Sequence, residues 1–136
     1  MTRVSRLCWL LSVLFISGCE DYARPTEPIW NKQPCAHCRM LVSDPRFAAQ
    51  LVTRAHDRLF FDDPGCLAEY MHAHAQDTEH AWVRSESAWI TTERARFSAG
   101  ASSPMGYGFV PNAEGTLDFA AVSSAALQRR LKEHHD

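Results

Sequence analysis

Two cysteines and a methionine, Cys35, Cys38 and Met40, stand within six residues of one another in the stretch KQPCAHCRMLVSDP from Lys32 to Pro45. Sulfur side chains gathered this closely have three chemistries open to them. They can form or exchange a disulfide, supply half of a structural zinc site, or hold a soft ion through thiolate and thioether. A dithiol-exchange motif sits where a buried strand runs into a helix, whose N-terminus lowers the thiol pKa. Here IWNKQP precedes Cys35 and SDP follows within ten residues, which offers neither the strand nor a long helix. Zinc needs four donors. Its second half would come from Cys66 with a histidine such as His37 or His56, without a paired spacing, and Cys66 also reads as a small buried hydrophobe. Thiolate with thioether suits Cu(I) best, because polarizable sulfur matches a soft ion and a thioether adds no charge.

A second methionine in unusual company is Met105, in SSPMGYG, where proline before it and glycine after it leave the backbone room to approach a ligand. A packed methionine in a tight turn explains the same spacing. Of the seven histidines, His37 lies inside the C-x-x-C and is a possible additional metal ligand, whereas His72 and His74 are two apart on a helix and cannot share a face. Asp62 and Asp63 form the one adjacent carboxylate pair near these residues. Asp63 suits a helix cap, and no Ser-His or Cys-His arrangement and no Gly-rich phosphate loop accompanies the pair. Nothing in these residues argues for an enzyme.

The elements that must carry these side chains read as follows. FAAQLVT (47–53) and RLFFDD (58–63) suggest a hairpin around RAHD. Asp63 then caps a helix with Pro64 at its first position, and Cys66, Leu67, Tyr70, Met71 and His74 recur on one face. Gly65 looks like a tolerated weakness in its first turn. HAWVRSE (80–86) alternates as a strand, AWITTERARFSAG begins as another, and Tyr107–Val110 forms a short one after the glycine-rich loop. The end of the chain is a helix whose inner stripe is Phe119, Val122, Ala126, Leu127 and the pair Arg130-Leu131. The expected class is α+β, with two small β-β-α-type units and helices packed on a mostly antiparallel sheet.

The chain opens with MTRVSRLCWLLSVLFISGC: two arginines, a ten-residue apolar run too short to span a membrane, then a small pair before Cys19. This predicts a secretory signal peptide over residues 1–18 with a lipobox, and Cys19 as the lipidated first residue of the mature protein. Residues 19–34 hold three prolines and little periodicity, and read as an extended tether to a domain over residues 35–136. Loss of Arg3 and Arg6 leaves 12 basic against 16 acidic residues, a formal charge of −4 that gives no footprint for nucleic acid. Cys8 leaves with the signal and Cys19 goes to lipid, so three thiols remain, Cys35, Cys38 and Cys66. An odd number is no closed disulfide framework.

In order, CAHCRMLVSDPRFAAQL, FFDDPGCLAEYM, AWI and SSPMGYGF resemble the NosL family, exported lipoproteins that accompany assembly of the copper centres of nitrous oxide reductase. The resemblance spans roughly Cys35 to Phe109 and includes the lipobox. It implies a Cu(I) site, and the matching positions are Cys35, Cys38, Met40 and Met105. It implies a fold of two β-β-α-type units as well. This sequence departs from the family pattern at Arg39, where the family usually has glycine, and beyond Asn112, where it matches weakly. The expectation is a lipid-anchored copper chaperone on the periplasmic side of a bacterial envelope. Its partners would be a copper-receiving enzyme or a copper transporter. The rivals are a periplasmic thiol-disulfide protein and a structural zinc lipoprotein.

Overall fold

A computed structural model describes residues 18 and 20–135 of the chain. Nearly all of the expected signal peptide, and the lipidation site Cys19, lie outside the described residues. Strands β1 (Ala49–Thr53) and β2 (Arg58–Phe61) form the hairpin, and α1 (Pro64–Ala73) follows. Then come β3 (Thr78–Ser85), β4 (Ala88–Thr91), β5 (Phe97–Ala99), β6 (Phe109–Pro111) and α2 (Phe119–Glu133). The class is α+β, as expected. A four-stranded antiparallel sheet has the order β2-β1-β3-β4, and β5 and β6 pair in a small antiparallel ribbon. The β5 strand escaped the sequence because it is three residues long and follows directly on the polar TTERAR; only Phe97 at its start is fully buried.

The central strand β1 is buried along its whole length. Its one long polar side chain, Gln50, exchanges hydrogen bonds with the Thr26 backbone, donating to Thr26 O at 2.8 Å and accepting from Thr26 N–H at 3.0 Å. A buried amide left unpaired would be costly, so the segment around Thr26 belongs to the fold. That corrects the tether expected over 19–34. Pro28 is buried, Trp30 packs on Val42, Ala48 and Phe60, and the Glu27 carboxylate accepts from Trp89 Nε1 at 2.9 Å and from Arg84. Farther along, Asn31 N–H donates to Val42 O and Val42 N–H to Gln33 O, both at 2.9 Å. An extended segment that docks through single residues leaves no periodic signature, so the sequence could not mark it as folded.

Asp63 caps α1 as expected, in extended backbone geometry, its carboxylate accepting from Gly65 N–H at 2.9 Å. Asp118 caps α2, accepting from Ala121 N–H at 2.9 Å. Val122 and Ala126 are the buried positions of α2, while Leu131, expected on its inner stripe, is 62% exposed. Leu131 lines an open cleft with His72 of α1, Leu127 and His134 rather than packing into the core. The main core joins Leu51, Phe61, Leu67, Val83, Phe97 and Val122, and Cys35 and Cys66 are members of it. Among the described residues no helix is long and apolar enough to cross a membrane.

Candidate metal centre

The C-x-x-C loop is folded by its own backbone. Cys35 N–H donates to Met40 O at 2.7 Å and Arg39 N–H donates back to Cys35 O at 3.1 Å, which closes the turn. Closing it puts Arg39 at φ +70°, the left-handed region where a Cβ is penalised. The turn thus favours a glycine at this position, which an arginine occupies here. Ala36 N–H donates to Phe60 O at 2.8 Å and fastens the loop to the end of β2.

The next two residues past β2 are Asp62 and Asp63. Asp63 turns inward to cap α1, and Asp62 faces the loop, where its Oδ1 accepts a hydrogen bond from Cys38 Sγ at 3.3 Å. Cys66, in the first turn of α1, completes the group. One donor atom from each of Cys35, Cys38, Asp62 and Cys66 lies within 4.8 Å of every other. Metal–sulfur bonds of about 2.3 Å place neighbouring ligands about 3.8 Å apart, so small side-chain rotations would close this set around an ion. The four residues form a cluster able to hold a metal ion. Among the described residues no disulfide joins the cysteines.

The three thiols are not equivalent. Cys35 and Cys66 are fully buried, and Cys38 is partly exposed. The Cys66 S–H directed at Cys35, helped by the backbone N–H groups of Cys38, Asp62 and His37, lowers the Cys35 thiol to about 7 against its burial. Burial first, then the Cys35 charge and the bond to Asp62, push Cys38 up to about 12. Cys66 is raised too, foremost because its proton is held by Cys35. The cluster therefore releases one proton readily and keeps the others until something replaces them.

The methionines and His37 stand differently from one another. Met40 is 60% exposed, and its carbonyl closes the cysteine turn. Met105 is half-buried and packs against the core group that contains Cys35 and Cys66. Its backbone is held from both sides, its N–H donating to Asp63 Oδ2 at 3.1 Å and its carbonyl accepting from Arg129 Nη1 at 2.7 Å. His37 is not one of the four gathered donors. Its Nε2 pairs with Glu69 Oε2 at 3.2 Å. Asp62 and Cys66 are the members absent from the copper set that the resemblance implied; in the sequence Cys66 reads only as part of a zinc site or as a small buried hydrophobe, and Asp62 only as one of a carboxylate pair. The signal for Cys66 was present, since three thiols were left and a C-x-x-C uses two.

Compared with protein-family models, with curated proteins and with solved structures, the chain matches none.

Proposed function

We propose that this chain is an exported, lipid-anchored Cu(I)-binding protein of the NosL type, which carries the ion as cargo to a copper enzyme or from a copper transporter. The observation that carries the proposal is the convergence of three cysteine sulfurs from two separate segments within 4.8 Å. Soft donors predominate, and thiolate selects monovalent copper over the hard cations. The arrangement also suits transfer. Cys35 and Cys66 form a buried floor, while Cys38 is partly exposed and Met40 beside it is largely exposed. An ion could meet Met40 and Cys38 before it reaches the floor, and leave by the reverse order. Met105, pinned beside the first turn of α1, is the further thioether that the resemblance implies.

Zinc is a second reading, and Asp62 favours it. A carboxylate is a poor partner for Cu(I) but an ordinary fourth ligand for Zn(II), and three thiolates with one carboxylate would make a closed tetrahedral site. Anaerobic titration of the reduced protein in competition with a weak cuprous chelator separates the two readings. The copper proposal expects tight one-to-one uptake, sharply weakened in Cys38→Ser. No competition for Cu(I), with zinc retained through purification, would overturn it.

A further inference from the structure

Glu69 is a buried carboxylate that no part of the metal cluster uses. It lies on α1 three residues beyond Cys66, on the same face of the helix, and is 6% exposed. Its two oxygens serve different segments. Oε2 pairs with His37 Nε2 at 3.2 Å, and Oε1 accepts from the Tyr107 hydroxyl at 2.8 Å. His37 sits between Cys35 and Cys38; Tyr107 sits two residues beyond Met105. The Tyr107 ring in turn carries the Arg129 guanidinium 4.5 Å from its centroid, and Arg129 holds the Met105 carbonyl. One side chain therefore fastens three pieces together: the helix bearing Cys66, the loop bearing Cys35 and Cys38, and the loop bearing Met105.

A carboxylate is an expensive choice for that place if packing were its only task, since an apolar side chain of similar volume often stabilises as well as a buried ion pair. What the carboxylate adds is direction. Cys35 is held by the core around it and by backbone bonds, but Cys38 lies at the open side of its turn. Its side chain bonds Asp62, and its neighbour His37 is tied to Glu69. The structure assigns to Glu69 the role of a positioning residue, which sets the Cys38 side of the site against the Cys66 side through His37. It deepens the metal-site reading, on which only the second readout below depends.

The first readout needs no metal. In the reduced, metal-free full chain, alkylation of each cysteine is followed by mass spectrometry for the wild type, Glu69→Leu, His37→Ala and the double variant. Cys38 is expected to react at least about tenfold faster in each single variant, the lower end of what a hydrogen bond to a charged group is worth, with Cys35 and Cys66 unchanged. The double variant should react no faster than the faster single one, because both changes remove the same tie. The His37 side chain is partly exposed, so His37→Ala keeps the test alive if Glu69→Leu fails to fold. The second readout is release of Zn(II) or Cu(I) to a chelator, expected to quicken by a similar factor. Cys38 rates within twofold of wild type in His37→Ala overturn the assignment. So does an equal rise at all three cysteines, which marks general loosening. Failure of the wild type to bind either ion sinks the proposed function, whereas the alkylation rates still decide the role of Glu69.

Discussion

The ring of Tyr107 lies where a side chain on Gly65 would be: a Cβ there would stand 2.1 Å from the ring Cγ and 2.4 Å from both Cδ atoms. Gly65 is therefore no mere weakness in the first turn of α1. Its missing side chain lets the Met105 loop close over the helix that carries Cys66. Helix propensity alone would make Gly65→Ala stabilising by about 1 kcal/mol. Overpacking of a filled site costs about 1–3 kcal/mol, and the clash is with a ring held by Glu69 and Arg129. The clash wins. Gly65→Ala should lower the thermal midpoint of the reduced, metal-free protein by several degrees. A raised midpoint would show that Tyr107 can leave at no cost.

At Arg39 the sign reverses. A left-handed residue with a Cβ costs about 1–2 kcal/mol, and glycine, which tolerates φ +70°, gives back part of that in unfolded-state entropy. Arg39→Gly should therefore stabilise the metal-free protein by about 0.5–1 kcal/mol, readable in denaturant unfolding as a higher midpoint with unchanged slope. Destabilisation would mean that the guanidinium contributes contacts that outweigh the backbone strain.

How far the site could be read from the sequence follows from the range of its interactions. The cap of α1 was legible because Asp63, Pro64 and Gly65 act within one turn. The Cys35–Met40 turn was not foreseen, although its hydrogen bonds close within six residues, because no glycine stands at its left-handed position to mark it. Asp62 was not legible either, since its role depends on β2 ending beside a loop 24 residues earlier. Cys66 was ambiguous, because a helix position facing the core looks the same whether it packs or ligates. His37 stood at ligand spacing, yet the Glu69 carboxylate, far along the chain on α1, takes its ring, and no local pattern foretells that. The docked segment from Thr26 to Pro34 was hidden for the converse reason. It meets the sheet through isolated residues, and isolated residues have no period.

The thiol cluster makes stability depend on pH in a stated direction. The folded Cys35 thiol lies at about 7, below its ordinary value near 9, so it binds fewer protons folded than unfolded between those limits. Its contribution is absent below about pH 7, grows through pH 8 and is complete by about pH 9. Cys38, raised to about 12, acts oppositely, and what it contributes is lost as pH rises beyond about 9. The reduced, metal-free protein should gain roughly 1–2 kcal/mol between about pH 7 and pH 9 and lose stability above that. Cys35→Ser should flatten the rising limb. A wild-type curve that falls steadily from neutral pH would contradict the assignment of the first proton loss to Cys35.

Asp62 decides which ion the cluster prefers. It is buried, among the described residues no cation pairs with it, and its one side-chain partner there is the Cys38 S–H, from which Oδ1 accepts a hydrogen bond at 3.3 Å. Asp62→Asn keeps the shape and still offers an oxygen to the Cys38 S–H, but removes the anionic ligand. If Cu(I) is held by sulfur alone, the substitution should leave cuprous affinity within about threefold of wild type, or raise it as a buried charge disappears. Zinc affinity, which uses the carboxylate as a fourth ligand, should fall by at least about tenfold. Cys66→Ser separates the cases from the other side and should weaken both ions, since it removes a donor from the buried floor. The informative quantity is the ratio of cuprous to zinc affinity, measured by chelator competition on the same reduced preparation. A ratio that rises in Asp62→Asn and barely moves in Cys66→Ser supports three sulfurs around copper. A cuprous affinity that falls with Asp62→Asn as steeply as zinc does would make the carboxylate a ligand for both, and the cargo reading would lose its claim to selectivity.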